Sequence, residues 1–261
     1  MTPEILLAAL FGLIFGSFLN VCIFRLPRDL SVVHPRSRCL ACGHGIAAYD
    51  NIPVLSYFVL GARCRHCRSS IHWRYPVVEA LMALLFGVAV WAWGPTAQAA
   101  KFALFAFLQV GMIFSDLETR LLPDEFTKGG LIAGLLFALF VPVKMGLMGV
   151  FLPQSWSRFF PLADAALGAA VLSGSFWGIA YLYSKVRHKE GLGFGDVKMV
   201  AMIGAFQGVA PALMTVFVGC LSGTVLGIAY VYFARKDFGT YEIPFGSFLG
   251  AAALIVSVWI R

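Results

Sequence analysis

The stretch EGLGFGDVK, residues 190–198, alternates three glycines with two apolar residues and then delivers Asp196 to the start of a long apolar run. Glycine is used where a backbone takes unusual angles or must let another chain come close. A carboxylate at the edge of hydrocarbon is costly and marks function more often than accident. The composition makes hydrocarbon the right surroundings. Of 261 residues, 60% are hydrophobic and 13% are charged, and the mean hydropathy is +0.83. Soluble domains carry about a quarter charged residues. Several apolar runs approach or exceed the roughly 18 residues that indicate a membrane helix. They are continuous rather than alternating, so the backbone is satisfied by helices and not by a barrel.

The expected fold is therefore an all-α polytopic membrane protein with about eight spans: 5–24, 76–93, 100–115, 126–143, 161–184, 197–209, 211–233 and 243–260. Pro211 is expected to separate the short sixth span from the seventh in a tight hairpin. Residues 145–160, broken by Pro153, Ser155, Ser157 and Arg158, read as an interfacial loop. The first span lacks the positive n-region and small-residue cleavage site of a removed signal peptide. This divides the chain into a first transmembrane helix (1–24), a loop domain (25–75) and a seven-helix core (76–261). The loops 25–75, 116–128, 185–198 and 234–242 hold 16 of the 20 Lys and Arg residues. By the positive-inside rule that face is cytoplasmic, the membrane is of the inner type and both termini lie outside. The net charge of +7 then reflects topology and anionic lipid, not nucleic acid.

The loop 25–75 carries CLAC (Cys39, Cys42) and CRHC (Cys64, Cys67), with 21 residues between the pairs. Two such knuckles can close four thiolates around a structural zinc ion. So short a loop buries little core, and a metal would supply the missing folding free energy. Two disulfides or unligated thiols are the alternatives, and a reducing cytoplasmic face opposes disulfides. His34, His44, His66 and His72 read as surface or supporting groups, and Cys22 and Cys220 as small packing residues. The loop's aromatics follow no nucleic-acid module.

The loop FSDLETRLLPDEFT (114–127) offers Asp116, Glu118, Asp124 and Glu125. Two crossings separate Asp116 from Asp196, which returns both to one face at similar depth. Two close carboxylates do not both ionise readily. The ionised one can activate water while the protonated one polarises a carbonyl. Each acid also has a plain reading: Asp116, Glu118 and Asp124 as solvated charges, Asp124 as a cap on the fourth span, Asp196 as a cap on the sixth or a partner of Lys198. A proton-coupled transporter would use intramembrane acids as well.

In order and spacing, GSFLNVCIFRLP (16–27), the two cysteine pairs, NIPVLSY (51–57), IHWRYPVVEAL (71–81), SDLETRLLPDEFT (115–127), EGLGFGDVKMVAMIGA (190–205) and PFGSFLGAA (244–252) resemble the type IV prepilin leader peptidases of pilus and type II secretion systems. The resemblance implies a GxGD-type membrane aspartic peptidase with Asp116 and Asp196 as its catalytic pair. It implies cleavage of prepilin or pseudopilin leaders after a glycine, then methylation of the new N-terminal amine from S-adenosylmethionine. It also implies zinc on Cys39, Cys42, Cys64 and Cys67. The chain departs from the family pattern at Glu118, where an aspartate is frequent, and at Ser247, where a proline is frequent. With that serine, 245–250 nearly copies FGSFLN at 15–20, which small residues at helix contacts would explain. No glycine-rich nucleotide loop of Rossmann type marks a methyl-donor site. Glu79 and Asn20, polar groups near the ends of the second and first spans, are the candidates by location, either as site residues or as packing hydrogen bonds.

Overall fold

The computed structural model describes residues 2–143, 145–151, 153–188, 193–235 and 243–261, except the side chains at 154 and 156. Glu190, Gly191 and Leu192 of the glycine stretch, and Lys236 of the basic loop 234–242, lie outside the described residues. Among the described residues, ten α-helices account for most of the chain: α1 (Pro3–Arg25), α2 (Leu55–Val59), α3 (Arg74–Trp93), α4 (Ala97–Thr119), α5 (Asp124–Ala138), α6 (Met148–Phe151), α7 (Phe160–Arg187), α8 (Phe194–Gln207), α9 (Val209–Phe233) and α10 (Phe245–Trp259). Among the described residues, β structure is limited to two isolated bridges, Arg38 with Gly45 and Arg63 with Ser70.

Each expected span has a helix at its place, but the helices are of two kinds. Five of them, α1, α3, α4, α7 and α9, are long and apolar enough to cross a bilayer. The other three, α5, α8 and α10, have 15, 14 and 15 residues, short of the ~20 that span about 30 Å of hydrocarbon. Among its described residues, the segment 145–160 holds one-turn α6, a short 3-10 stretch at Gln154–Phe159 and the first residue of α7, as expected of a loop.

Pro211 does not separate the sixth expected span from the seventh. The break is Gly208, with φ 79°, a left-handed-side angle that costs glycine nothing. Pro211 sits in the first turn of α9, where its missing N–H would have had no helical partner.

The chain forms two compact units, residues 1–111 and 112–261, and α4 runs from one into the other. In the first unit α1 lies against α3. Asn20 is buried between them, donating to the Tyr75 carbonyl (3.1 Å) and accepting from Arg74 Nε (3.3 Å). The Val54 N–H donates to Glu79 Oε2 (2.7 Å), which ties the NIPVLSY segment to α3. Both Asn20 and Glu79 thus hold structural hydrogen bonds.

The second unit is built around α8, whose last nine residues, 199–207, are buried. At its crossing with α7, a Cβ on Gly204 would stand 2.3 Å from the Gly168 carbonyl oxygen, and one on Gly168 would stand 2.4 Å from that of Gly204. Backbone cannot yield as a side chain can, so the contact is reserved for glycine. Gln207 then ties three helices, donating to Ala253 O and Ser257 Oγ (both 2.9 Å) and accepting from Thr215 Oγ1 (2.8 Å). A buried network with every member satisfied fixes a single arrangement. Gly204→Ala should therefore cost at least the ~1–3 kcal/mol typical of an overpacked core. Thermal unfolding in detergent checks this, and an unchanged midpoint would contradict it.

Candidate active site and metal centre

The two cysteine knuckles have the same local construction. In the first, Cys39 N–H donates to His44 O and Gly43 N–H to Cys39 O, each 2.9 Å. In the second, Cys64 N–H donates to Ser69 O (2.8 Å) and Arg68 N–H to Cys64 O (3.0 Å). Both turn through a positive φ four residues after the first cysteine, at Gly43 (71°) and Arg68 (58°). Arg65 reaches Asp50 through two bonds (2.6 and 2.8 Å) and steadies the second knuckle against the preceding chain. The His44 and His66 rings face each other at 3.5 Å.

The four sulfurs lie within 4.8 Å of one another. Cys39 Sγ and Cys67 Sγ are 3.8 Å apart, the edge of a tetrahedron whose corners sit about 2.3 Å from a central ion. All four thiols are free. Backbone N–H groups of Cys42 and Ala41 pull the Cys39 thiol down to about 6, and Ser69 pulls the Cys67 thiol down. At Cys42 the His44 N–H acts in the same direction, but burial and the neighbouring Cys67 and Cys39 outweigh it and take the thiol up to about 11. Crowded thiolates oppose one another's ionisation, so four together need a cation. The donor set and its spacing fit a metal ion. Among residues 25–75 no apolar side chain is buried, so the segment has no apolar core of its own.

The acids occupy helix ends in the second unit. Asp116 lies in the last turn of α4 with 6% of its surface exposed. Two donors from the start of α10 converge on its Oδ2: the Ser247 N–H at 2.8 Å and the Ser247 hydroxyl at 2.9 Å. Gly246 makes room for the carboxylate, since a Cβ there would stand 3.3 Å from Asp116 Oδ2. Asp196 is the third residue of α8, half-buried, and close enough to Asp116 for the two charges to act on each other. Leu122, in the turn between α4 and α5, packs beside both: Cβ atoms on Gly195 and Gly246 would each stand 3.3 Å from its side chain. One of the three glycines of the opening stretch, Gly195, therefore serves this close approach of α8 to the α4–α5 turn.

The remaining acids go elsewhere. Asp124 neither caps α5, whose N-cap is Pro123, nor joins the pair. It takes ion pairs with Lys128 (2.6 Å) and with Lys198. That occupies Lys198, which is not the partner of Asp196, and among the described residues the N-cap of α8 is Gly193, with no side-chain cap. Glu118 is exposed. Cys22 is buried as a packing residue, whereas Cys220 is exposed on α9 and packs into no core.

Ser247 is the site residue that sequence reasoning missed. The near copy of FGSFLN in FGSFLG pointed to helix contacts, and the glycines do make them. Yet in each copy the next residue, the serine, also meets a carboxylate. Ser247 bonds Asp116, and Ser17 bonds Glu79. A lone hydroxyl in an otherwise apolar repeat was the available signal.

Two family models match the chain. A bacterial peptidase A24 N-terminal domain covers residues 10–93, which include the four cysteines. A type IV leader peptidase family model covers residues 102–228, which include Asp116 and Asp196. Over 278 residues the chain is 34% identical to a prepilin leader peptidase/N-methyltransferase of Pseudomonas aeruginosa, covering 98% of this chain and 90% of that protein. A protein of the same description from Pseudomonas putida is 34% identical over 277 residues, with the same shares covered. One from Myxococcus xanthus is 41% identical over 217 residues, 83% of this chain and 60% of that protein. No solved structure matches the chain.

Proposed function

The chain belongs to the type IV leader peptidase family, and on that premise we propose that it cleaves the leader from prepilins or pseudopilins with Asp116 and Asp196, then methylates the new N-terminus. The observation that carries this is the acid pair itself: two carboxylates within mutual influence at helix ends, one held by two hydrogen bonds. The ionised member takes a proton from water as the water oxygen adds to the scissile carbonyl carbon. The protonated member gives its proton to the carbonyl oxygen, forming a tetrahedral diol. On collapse, the proton taken from water passes to the amide nitrogen and the C–N bond breaks. The diol then returns a proton to the second carboxylate, and the pair is restored.

The methyl donor of this reading is S-adenosylmethionine, which supplies an electrophilic methyl group to the freed α-amine. The metal is zinc, filled by Cys39, Cys42, Cys64 and Cys67 and structural because sulfur occupies every position. With 16 of 20 basic residues on one set of loops, the cysteine segment (25–75) and the acid pair face the cytoplasm of a bacterial inner membrane. All eight expected spans cross or enter the bilayer, in contact with lipid, and nucleic acid has no part. The proton-relay transporter is not favoured, since relatives matched over nearly the whole chain carry peptidase names.

The deciding experiment incubates purified protein with a prepilin in detergent and weighs the products, with and without S-adenosylmethionine. A truncated product in both samples, heavier by one methyl group when the donor is present, is expected. An intact prepilin in both would overturn the reading.

A further inference from the structure

We infer that Ser247 is a positioning residue that keeps Asp116 as the ionised member of the pair, which makes Asp196 the protonated member. The inference rests on the peptidase reading and adds to it the assignment of base and acid.

The two carboxylates are alike in one respect and unlike in another. Asp116 faces the N-terminus of α10, and Asp196 sits in the first turn of α8. Helix N-termini favour anions, so both places favour ionisation and the dipole does not separate them. The donors do. Asp116 Oδ2 receives a backbone N–H at 2.8 Å and a hydroxyl at 2.9 Å from one residue. Among the described residues no donor reaches Asp196, on which burial and the charge of Asp116 act. Hydrogen bonds to the charged form stabilise that form. A single shared negative charge therefore settles on Asp116.

The hydroxyl has only one proton. Ser247 Oγ also lies 3.1 Å from the Ile113 carbonyl oxygen. With Asp116 ionised, the proton goes to the carboxylate, the stronger acceptor. The charged groups around Asp116 are few. Its own segment supplies Arg120, which acts on it electrostatically. From α8 comes Asp196, while Lys198 is engaged with Asp124. No titratable side chain lies on α10.

Two variants separate the donors. Ser247→Ala removes the hydroxyl and keeps the N–H. Ser247→Pro removes both, and proline is tolerated in a first helical turn. The pH dependence of prepilin cleavage is the readout. Activity on the acid side requires ionised Asp116, so losing donors should move the acid limb to higher pH. The expected shift is about one pH unit for Ser247→Ala, more for Ser247→Pro, with the basic limb and KM unchanged. Ser247→Thr, which keeps both donors, should restore the parental profile. An acid limb at its parental pH in the alanine variant, or a shift of the basic limb instead, overturns the assignment.

A measurement free of turnover guards against a poorly folded variant. Infrared titration of the parental protein should show a protonated-carboxyl band that Asp196→Asn removes and Asp116→Asn leaves. The reverse pattern overturns the assignment too. None of these outcomes touches the peptidase reading, which fails if the parental protein leaves prepilin intact or if cleavage survives loss of the acids themselves.

Discussion

Asp116→Asn and Asp196→Asn should each lower prepilin cleavage by at least about a hundredfold, the lower scale for losing a general acid or base. Asparagine keeps the size of the side chain and can still accept from Ser247, so the α4–α10 contact survives and only the proton chemistry goes. Glutamate at either position should also fail. One added methylene at 116 pushes the carboxylate past donors fixed at 2.8 and 2.9 Å, and a misplacement of about 1 Å is costly in catalysis. In the parental enzyme cleavage should be bell-shaped in pH, with limbs that belong to the pair. Asp124→Asn is the contrast. Its ion pairs are partly exposed, and such pairs are worth ~1 kcal/mol or less. Cleavage should stay within a few-fold of parental when assayed beside the other two. A near-parental rate for either member of the pair, in folded and membrane-inserted protein, would defeat the proposal.

Changing Cys39, Cys42, Cys64 or Cys67 to serine should empty the metal site and unfold the surrounding segment. No apolar side chain in 25–75 is buried, so little else opposes the chain entropy of that stretch. A structural zinc site is worth roughly 10 kcal/mol or more, and no surface ion pair such as Asp50–Arg65 replaces that. Elemental analysis of protein purified without chelator should give one zinc per chain, falling to none in the variants. Limited proteolysis should then cut within 25–75. The cysteines lie in the first unit and the acids in the second, so methylation should suffer more than cleavage. Zinc-free parental protein, or equal loss of both activities in a folded variant, would contradict this.

The sequence made the helices plain because continuous apolar runs leave a backbone few other options in hydrocarbon. Their lengths were harder to read. Apolar flanks such as 139–143 look like helix, yet α5 ends at Ala138. Proline reads as the punctuation between the sixth and seventh spans although Gly208 is the turn, because proline is tolerated in a first helical turn as well as between helices. The knuckles were legible since ligand spacing is local in sequence. Asp116 and Asp196 could be paired by counting crossings. What local sequence could not show was which groups from a third helix meet them, 131 residues away in the case of Ser247 and Asp116. The same limit hid the Lys198–Asp124 pair, where adjacency favoured Asp196 as the partner.

The central claim is that Asp116 and Asp196 work as one device. It is tested most directly by kcat/KM for prepilin cleavage in four proteins: the parental chain, Asp116→Asn, Asp196→Asn and the double variant. Residues that act as a unit are strongly non-additive. The account predicts that each single variant falls as far as the double. Losses that simply multiply, or a single variant that cleaves at close to the parental rate, would contradict it.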